Sequence, residues 1–306
     1  MSLALRKITQ HIGIPGQLEE EKEEFLKVQW RSIDRIKTGL ESSIQATMEN
    51  MFEEQLDEVL KNLRGTTRRV EEVLSLELLL NISFWMEETW MRLRPGALDT
   101  IFAGFETGAI KAGIAGVDFT SQDPSVLNTL QALNEKSRII TETTADGLGQ
   151  VIQDGLTTGA DIDTITSNVQ GLFDDMKMAR ARAIAVTNVT TGFESGQLTA
   201  FKRGGISLKR WLSQRDGKVR DEHDEVDGQE VPVTESFTVG TTEMMHPGDP
   251  TALAGLVINC RCTMLPVTAV GRSYNIQARS QADAVVRQTI IDVFKEITTK
   301  LERNIE

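Results

Sequence analysis

Only two cysteines occur in the 306 residues, Cys260 and Cys262, with a single arginine between them. A disulfide between residues i and i+2 closes a small strained ring, and no other cysteine exists to build an oxidised framework, so reduced thiols are expected. Long apolar runs are missing as well. No stretch reaches the roughly 20 residues that span a bilayer. The N-terminal segment passes from Met1 to Leu5 into Arg6, Lys7 and then the acidic run Glu19 to Glu24, without the apolar core of a secretory signal. A soluble protein made in a cytoplasm, with no membrane partner, is the expectation. Positive charge is not in excess: 45 acidic against 33 basic residues give a net charge of -12. Wholesale binding to a phosphate backbone needs clustered cations that displace counterions, so any DNA contact is local. The glycines at 104, 108, 113 and 116 are not followed by the Lys-Ser or Lys-Thr of a phosphate loop, and no fixed-period repeat runs through the chain.

What is present is a hydrophobic content of 40%, enough for a packed core. From Leu18 to Leu63 the positions Leu26, Trp30, Ile33, Leu40, Ile44, Met51, Leu56, Val59 and Leu63 recur at steps of three, four or their sums. That period predicts one long amphipathic helix, entered after Pro15-Gly16 and left at Gly65-Thr66-Thr67. At about 65 Å it exceeds the width of a compact domain, so it is expected to pack on another long helix or on a partner subunit. A second helical block, Arg69 to Leu93, carries Val73, Leu76, Leu80, Phe84 and Met91 and is expected to stop at Arg94-Pro95-Gly96. The small residues between Ala97 and Gly116 permit close packing but weaken helix propensity. Asp123-Pro124-Ser125 and Asp161 to Thr164 read as helix starts, and Lys177 to Arg203 is a further helix with Ala181, Ile184, Ala185 and Phe193 on its apolar side. Thr141, Thr143 and Thr144 read as helix surface, and His11 as a solvated lone residue.

The pattern changes at Gly204-Gly205. Short β-type runs (Ile206 to Leu212, Glu230 to Val233, Ser236 to Val239, Leu256 to Cys262) alternate with the turn dipeptides Asp216-Gly217 and Asp227-Gly228. After Pro266 and Gly271 an apolar stripe through Ala284, Val285, Ile291, Val293, Phe294 and Ile297 predicts a C-terminal helix for packing or docking. The fold class is α+β: an elongated, mostly α-helical docking region over residues 1–176, a small α+β module with its lead-in helix over 177–268, and a C-terminal helix over 269–306.

Two of the three histidines and both cysteines fall inside forty residues of that module. If Cys260 and Cys262 lie on a strand, the period of two places both thiols on one face and Arg261 on the other. With His223 and His246 delivered from preceding loops, a Cys2His2 zinc site is geometrically conceivable. The competing reading packs both cysteines against Trp211 as small buried hydrophobes, with His223 hydrogen-bonded to Asp216 or Asp227. Nothing identifies the oriented base and oxyanion hole that a catalytic thiol needs, so no catalytic residue is assigned and a non-enzyme is expected.

In order along the module stand Trp211, Asp216, Arg220, His223, Gly228, Pro247, Pro250 and then Asn259-Cys260-Arg261-Cys262. This ordered set resembles the head-morphogenesis module of tailed bacteriophages, the phage Mu protein F-like family. The lead-in helix of that family commonly reads Ala-Arg-Thr-Glu, where this chain has Ala185-Val186-Thr187-Asn188. The resemblance implies a minor capsid protein of the virion, associated with the portal protein or the major capsid protein, at the portal vertex or in the head interior. It brings no established reaction. Two alternatives stand beside it. One is a metal-dependent hydrolase or nuclease built on the His and Cys cluster with Asp216, Asp221 and Asp227. The other is an ejection protein that contacts the packaged DNA through Lys202, Arg203, Lys209, Arg210, Arg215, Lys218 and Arg220, a stretch whose field Asp221, Glu222, Asp224 and Glu225 largely cancel.

Overall fold

The computed structural model describes residues 15–65 and 79–267. The expected C-terminal helix, His11, and the Arg69 to Leu78 part of the second helical block lie outside the described residues. Helix α1 (Pro15–Gly65) is one uninterrupted rod of 51 residues. Its buried positions Leu26, Trp30, Ile33, Lys37, Ile44, Met48, Met51, Phe52, Val59, Leu60 and Leu63 follow the spacing read from the sequence, while Leu40 and Leu56 are half-buried. The stripe is covered within the chain itself. Toward the C-terminal end it packs with Trp85, Leu93, Leu148, Ile165, Phe173 and Val189, and toward the N-terminal end with Phe193, Leu212 and Leu265.

Helix α2 (Ile82–Ala112) is capped by the Asn81 side chain, which accepts from Phe84 N, and it runs straight through Pro95-Gly96 instead of stopping there. Proline removes the amide that would bond the carbonyl of Met91. Met91 is 56% exposed and Pro95 is exposed too, so the missing bond lies on the solvent side of the helix. Gly96 faces inward, where an added Cβ would stand 2.8 Å from Ile44 Cγ1. Helix α3 (Pro124–Thr157) begins with Asp123 as N-cap and proline in its first turn, as the sequence indicates. Thr141 and Thr144 on it are buried, not surface: their hydroxyls meet Thr89 Oγ1 at 3.0 Å and Arg180 Nη1 at 3.1 Å. Thr143 alone of the three is exposed. A buried threonine is tolerated in a helix once such a partner is found.

Helix α4 (Ile162–Asp175), opened by the Asp161 cap on Thr164 N, passes through a π turn (Met176–Arg180) into α5 (Ala181–Arg203). Residue 176 therefore lies inside a continuous helical rod. Helix α5 is the central element and packs against α1, α2 and α3. Its approach to α2 depends on four glycines. A Cβ on Gly104 would stand 2.0 Å from Phe193 O, and one on Gly196 would stand 2.1 Å from Ile101 O. One on Gly192 would stand 2.1 Å from Thr100 Oγ1, and one on Gly108 less tightly, 3.0 Å from Gln197 Cα. The small residues that weaken helix propensity are what lets the two backbones touch.

Strand β1 (Leu208–Leu212) is the middle of an antiparallel sheet between β2 (Glu230–Pro232) and β5 (Thr263–Val267), and β3 (Phe237–Val239) pairs with β4 (Thr242–Met244). Trp211 pairs with Met264 and Arg210 with Glu230. One-turn helices α6 (Asp221–Glu225) and α7 (Ala254–Val257) sit in the connections. Leu256 to Cys262 is thus not a strand: α7 and a turn occupy it, and the strand begins one residue later, at Thr263. Among the described residues no helix is long and apolar enough to cross a membrane.

Replacing Gly196 by alanine should cost several kcal/mol, since overpacking against backbone atoms admits no side-chain escape and must part α2 from α5. Gly171→Ala in α4, with nothing near its Cβ position, should instead stabilise by roughly 0.5–1 kcal/mol through helix propensity. Urea unfolding of the two variants checks both signs; equal effects would mean that the helix approach is not set by these glycines.

Candidate functional site

Two cores meet at α5, and the site lies where the module core touches it. Trp211 is fully buried on β1, donates from Nε1 to Ser213 Oγ at 3.2 Å, and meets the rings of His223 and Phe237 edge-on at 5.6 and 5.3 Å. The Asp227-Gly228 turn docks on the same strand end: Gly228, at φ +79°, donates to Trp211 O at 3.0 Å, and Asp227 accepts from Ser213 N at 2.7 Å. Ser213 Oγ in turn donates to the carbonyl of His223. These bonds fix α6 over the strand and turn the His223 ring inward, where the residue is 1% exposed.

The opposite wall is the Asn259 to Cys262 loop. Asn259 adopts φ +59°, and its amide donates to Thr187 Oγ1 at 3.1 Å. The next three carbonyls are each held by a different side chain. Thr190 Oγ1 donates to Cys260 O at 2.6 Å, Trp30 Nε1 to Arg261 O at 3.3 Å, and Lys37 Nζ to Cys262 O at 3.1 Å. With all three carbonyls directed at α1 and α5, both buried thiols face His223. Nδ1 of His223 lies 3.3 Å from Cys262 Sγ and 3.6 Å from Cys260 Sγ, and the three atoms lie within 4.8 Å of one another. Both cysteines are free. A hydrogen bond from the Cys262 thiol lowers the pKa of Cys260 against the effect of burial, and the same bond, with burial, pushes Cys262 well up.

Beneath the loop is a buried polar network that sequence reasoning did not find. Glu194 is fully buried and accepts from Lys37 Nζ at 3.3 Å, Gln197 Nε2 at 3.2 Å and the Met264 amide at 3.1 Å. Gln197 also donates to Thr263 Oγ1 at 3.1 Å. Thr187, Thr190, Thr191, Glu194 and Gln197 recur at three and four on α5. That polar stripe, inside a helix flanked by apolar residues, was the available signal.

The structure brings His223, Cys260 and Cys262 together and leaves His246 apart. Nδ1 of His246 sits 2.9 Å from Pro247 O, and burial lowers its pKa while Asp249 opposes this. Pro247, Gly248 and Pro250 form a turn that Asp249 caps by accepting from the Met245 and Thr251 amides, and Thr191 Oγ1 pins it at Gly248 O. The alternative reading is half realised as well. Cys260 and Cys262 do belong to the Trp211 core, but His223 bonds the thiols rather than Asp216 or Asp227. Asp227 instead pairs with Arg215, and Asp216 with Arg261. Despite partial burial, the Arg261 hydrogen bond and the Lys218 amide hold the Asp216 carboxyl below its usual pKa. Arg220 donates to the carbonyl of Ile258.

A cleft of about 360 Å³ is bordered by His223, Cys260 and Cys262. Arg182, Lys218, Arg220 and Arg261 line it with Asp216 and Val186. Elsewhere the cation-rich stretch is engaged internally. Arg203 pairs with Asp123 and Arg210 with Glu230. Lys209 is buried, with Nζ 2.6 Å from Met245 O and 4.8 Å from the centre of the Phe237 ring, and burial lowers its pKa to about 8.

Comparison with known proteins gives two findings. Residues 146–265 match the family model described as Phage Mu protein F like protein. A 95-residue stretch is 36% identical to the NAD(+)--arginine ADP-ribosyltransferase EFV of Enterococcus faecalis, covering 30% of this chain and 18% of that protein. The chain thus spans less than a fifth of that relative's length. No solved structure matches.

Because burial raises the pKa of Glu194, with Lys37 opposing, the group contributes stability that is full below its unfolded pKa of 4.5 and is lost as pH rises through the folded value. Lys37→Met removes the opposing cation, so it should cost about 3–5 kcal/mol near neutrality, shrinking as pH falls and Glu194 takes up a proton. Adding Glu194→Gln should flatten that fall in cost with falling pH. Denaturant unfolding of the three proteins across pH measures it, and a pH-independent deficit would show that Glu194 is not the group left uncompensated.

Proposed function

We propose that the chain, whose residues 146–265 match the Phage Mu protein F-like family model, is a minor capsid protein of a tailed bacteriophage that joins the head at the portal or inner shell during assembly. The observation that carries this reading is the correspondence between sequence motif and geometry. Each motif residue from Trp211 to Cys262 serves the internal architecture of the module: a core ring, a turn, a loop anchor or an ion pair. None of the contacts sets a nucleophile between a base and an oxyanion hole, the arrangement a hydrolytic role for the thiols requires. The name of the enterococcal relative describes an activity of that much longer protein, and 18% of its length is too little to bring the activity here.

Partner recognition falls to surfaces other than the apolar stripe of α1, which α2, α4, α5 and the sheet cover. An ejection role that touches DNA has weak support, since Arg203, Arg210 and Arg215 of the cation-rich stretch are paired with carboxylates and Lys209 is buried. Co-expression with the portal and major capsid proteins of the phage that encodes it is the direct test. The chain should sediment with purified procapsids and be retained on the isolated portal ring; absence from both would remove the assignment.

A further inference from the structure

We propose that His223, Cys260 and Cys262 form a three-ligand zinc site whose fourth position opens into the adjoining cleft. The carrying observation is distance. A tetrahedral zinc ion with about 2.3 Å to sulfur and about 2.0 Å to nitrogen holds a sulfur and a nitrogen ligand about 3.5 Å apart and two sulfurs about 3.8 Å apart. Nδ1 of His223 stands 3.3 and 3.6 Å from the two sulfurs, and all three atoms fit within 4.8 Å. Both nitrogen–sulfur separations are already close to those of such a tetrahedron and the two sulfurs are no more than 4.8 Å apart, so binding needs side-chain adjustment rather than rearrangement of the fold.

The donor set also selects the ion. Two thiolates and an imidazole suit zinc, whereas calcium and magnesium take oxygen. The surroundings are built to hold the ligands still. The carbonyls of Cys260, Arg261 and Cys262 are tied to Thr190, Trp30 and Lys37, and α6, which carries His223, is tied to Ser213. Such outer contacts orient ligating side chains and tune their affinity. On binding, both thiol protons leave to solvent and the neutral imidazole coordinates through Nδ1, so zinc uptake releases protons.

Three protein ligands are the mark of an open site; closed structural sites have four. His246 does not supply the fourth, because its Nδ1 lies against Pro247 O, and among the described residues no other His, Cys, Asp or Glu joins the group. The cleft of about 360 Å³ borders all three ligands, so a water molecule occupies the fourth position. The site does not depend on the chain's place in a phage head, since every ligand comes from this one chain.

Full-length protein purified from zinc-supplemented cells should hold about one zinc per chain after dialysis, and mercurial titration of its thiols should release that zinc to a chromogenic chelator. Cobalt substitution should give the intense visible bands of a tetrahedral ion with a sulfur-to-metal charge-transfer band. His223→Gln and Cys262→Ser should lower zinc retention at least tenfold, and His246→Asn should leave it unchanged. If a ligand variant does not fold, the thiol-triggered release from the unaltered chain still decides the matter. Zinc that dialyses away, zinc not released by thiol modification, or loss of zinc in His246→Asn equal to that in His223→Gln would each overturn the three-ligand site.

Discussion

The buried contact between Lys37 and Glu194 is the constraint on which the rest of the molecule depends. Lys37 is the only charged residue in the buried stripe of α1 among the described residues, and its ammonium bridges the Glu194 carboxylate of α5 and the carbonyl of Cys262. Glu194 also holds the amide of Met264 in β5. One ion pair therefore joins the long helix, the central helix, the sheet and the cysteine loop. A buried pair of this kind contributes little net stability against an apolar replacement, but breaking it leaves a bare charge in the interior. Its effect is specificity of arrangement: α1 can slide or rotate on α5 only by stranding that charge.

The second determinant is how closely the helices approach. Gly104 and Gly196 bring α2 and α5 to backbone contact, so α5 is enclosed by α2 on one side and α1 on another, and its polar stripe can point only at the module. That stripe holds the Asn259 amide and the Cys260 carbonyl of a loop that lacks regular secondary structure, and with Trp30 and Lys37 of α1 it sets the direction of two thiols. Helix packing thus determines the chemistry of the site at one remove.

Much of this was legible in the sequence, and the misreadings have a common cause. The period of α1, the aspartate caps of α3 and α4, the turns at Gly217 and Gly228 and the α+β character of the module are local signals, and they are realised. Pro95-Gly96 is also a local signal, yet a proline on the solvent face and a glycine against Ile44 are accommodated once packing supports the helix around them. The cysteine spacing of two suggested a strand, whereas a turn with Asn259 at positive φ brings the thiols together. His246 and His223 are equivalent by composition and separated only by tertiary contacts. Lys37 and Glu194, 157 positions apart, carry no pairing signal in a single sequence.

The π turn at Met176–Arg180 sets the helical phase of everything after it. One extra residue in a turn advances the screw by about 100°, so α4 and α5, though one rod, are two rotational frames. In the first frame Ile165, Val169 and Phe173 point into the helical core; in the second Thr187, Thr190 and Glu194 point at the cysteine loop. Arg180, at the seam, reaches back to Ile140 O at 2.8 Å and locks the offset. The rod works as a keyed shaft, in which the half that belongs to the bundle fixes the angle at which the other half presents its polar teeth to the module.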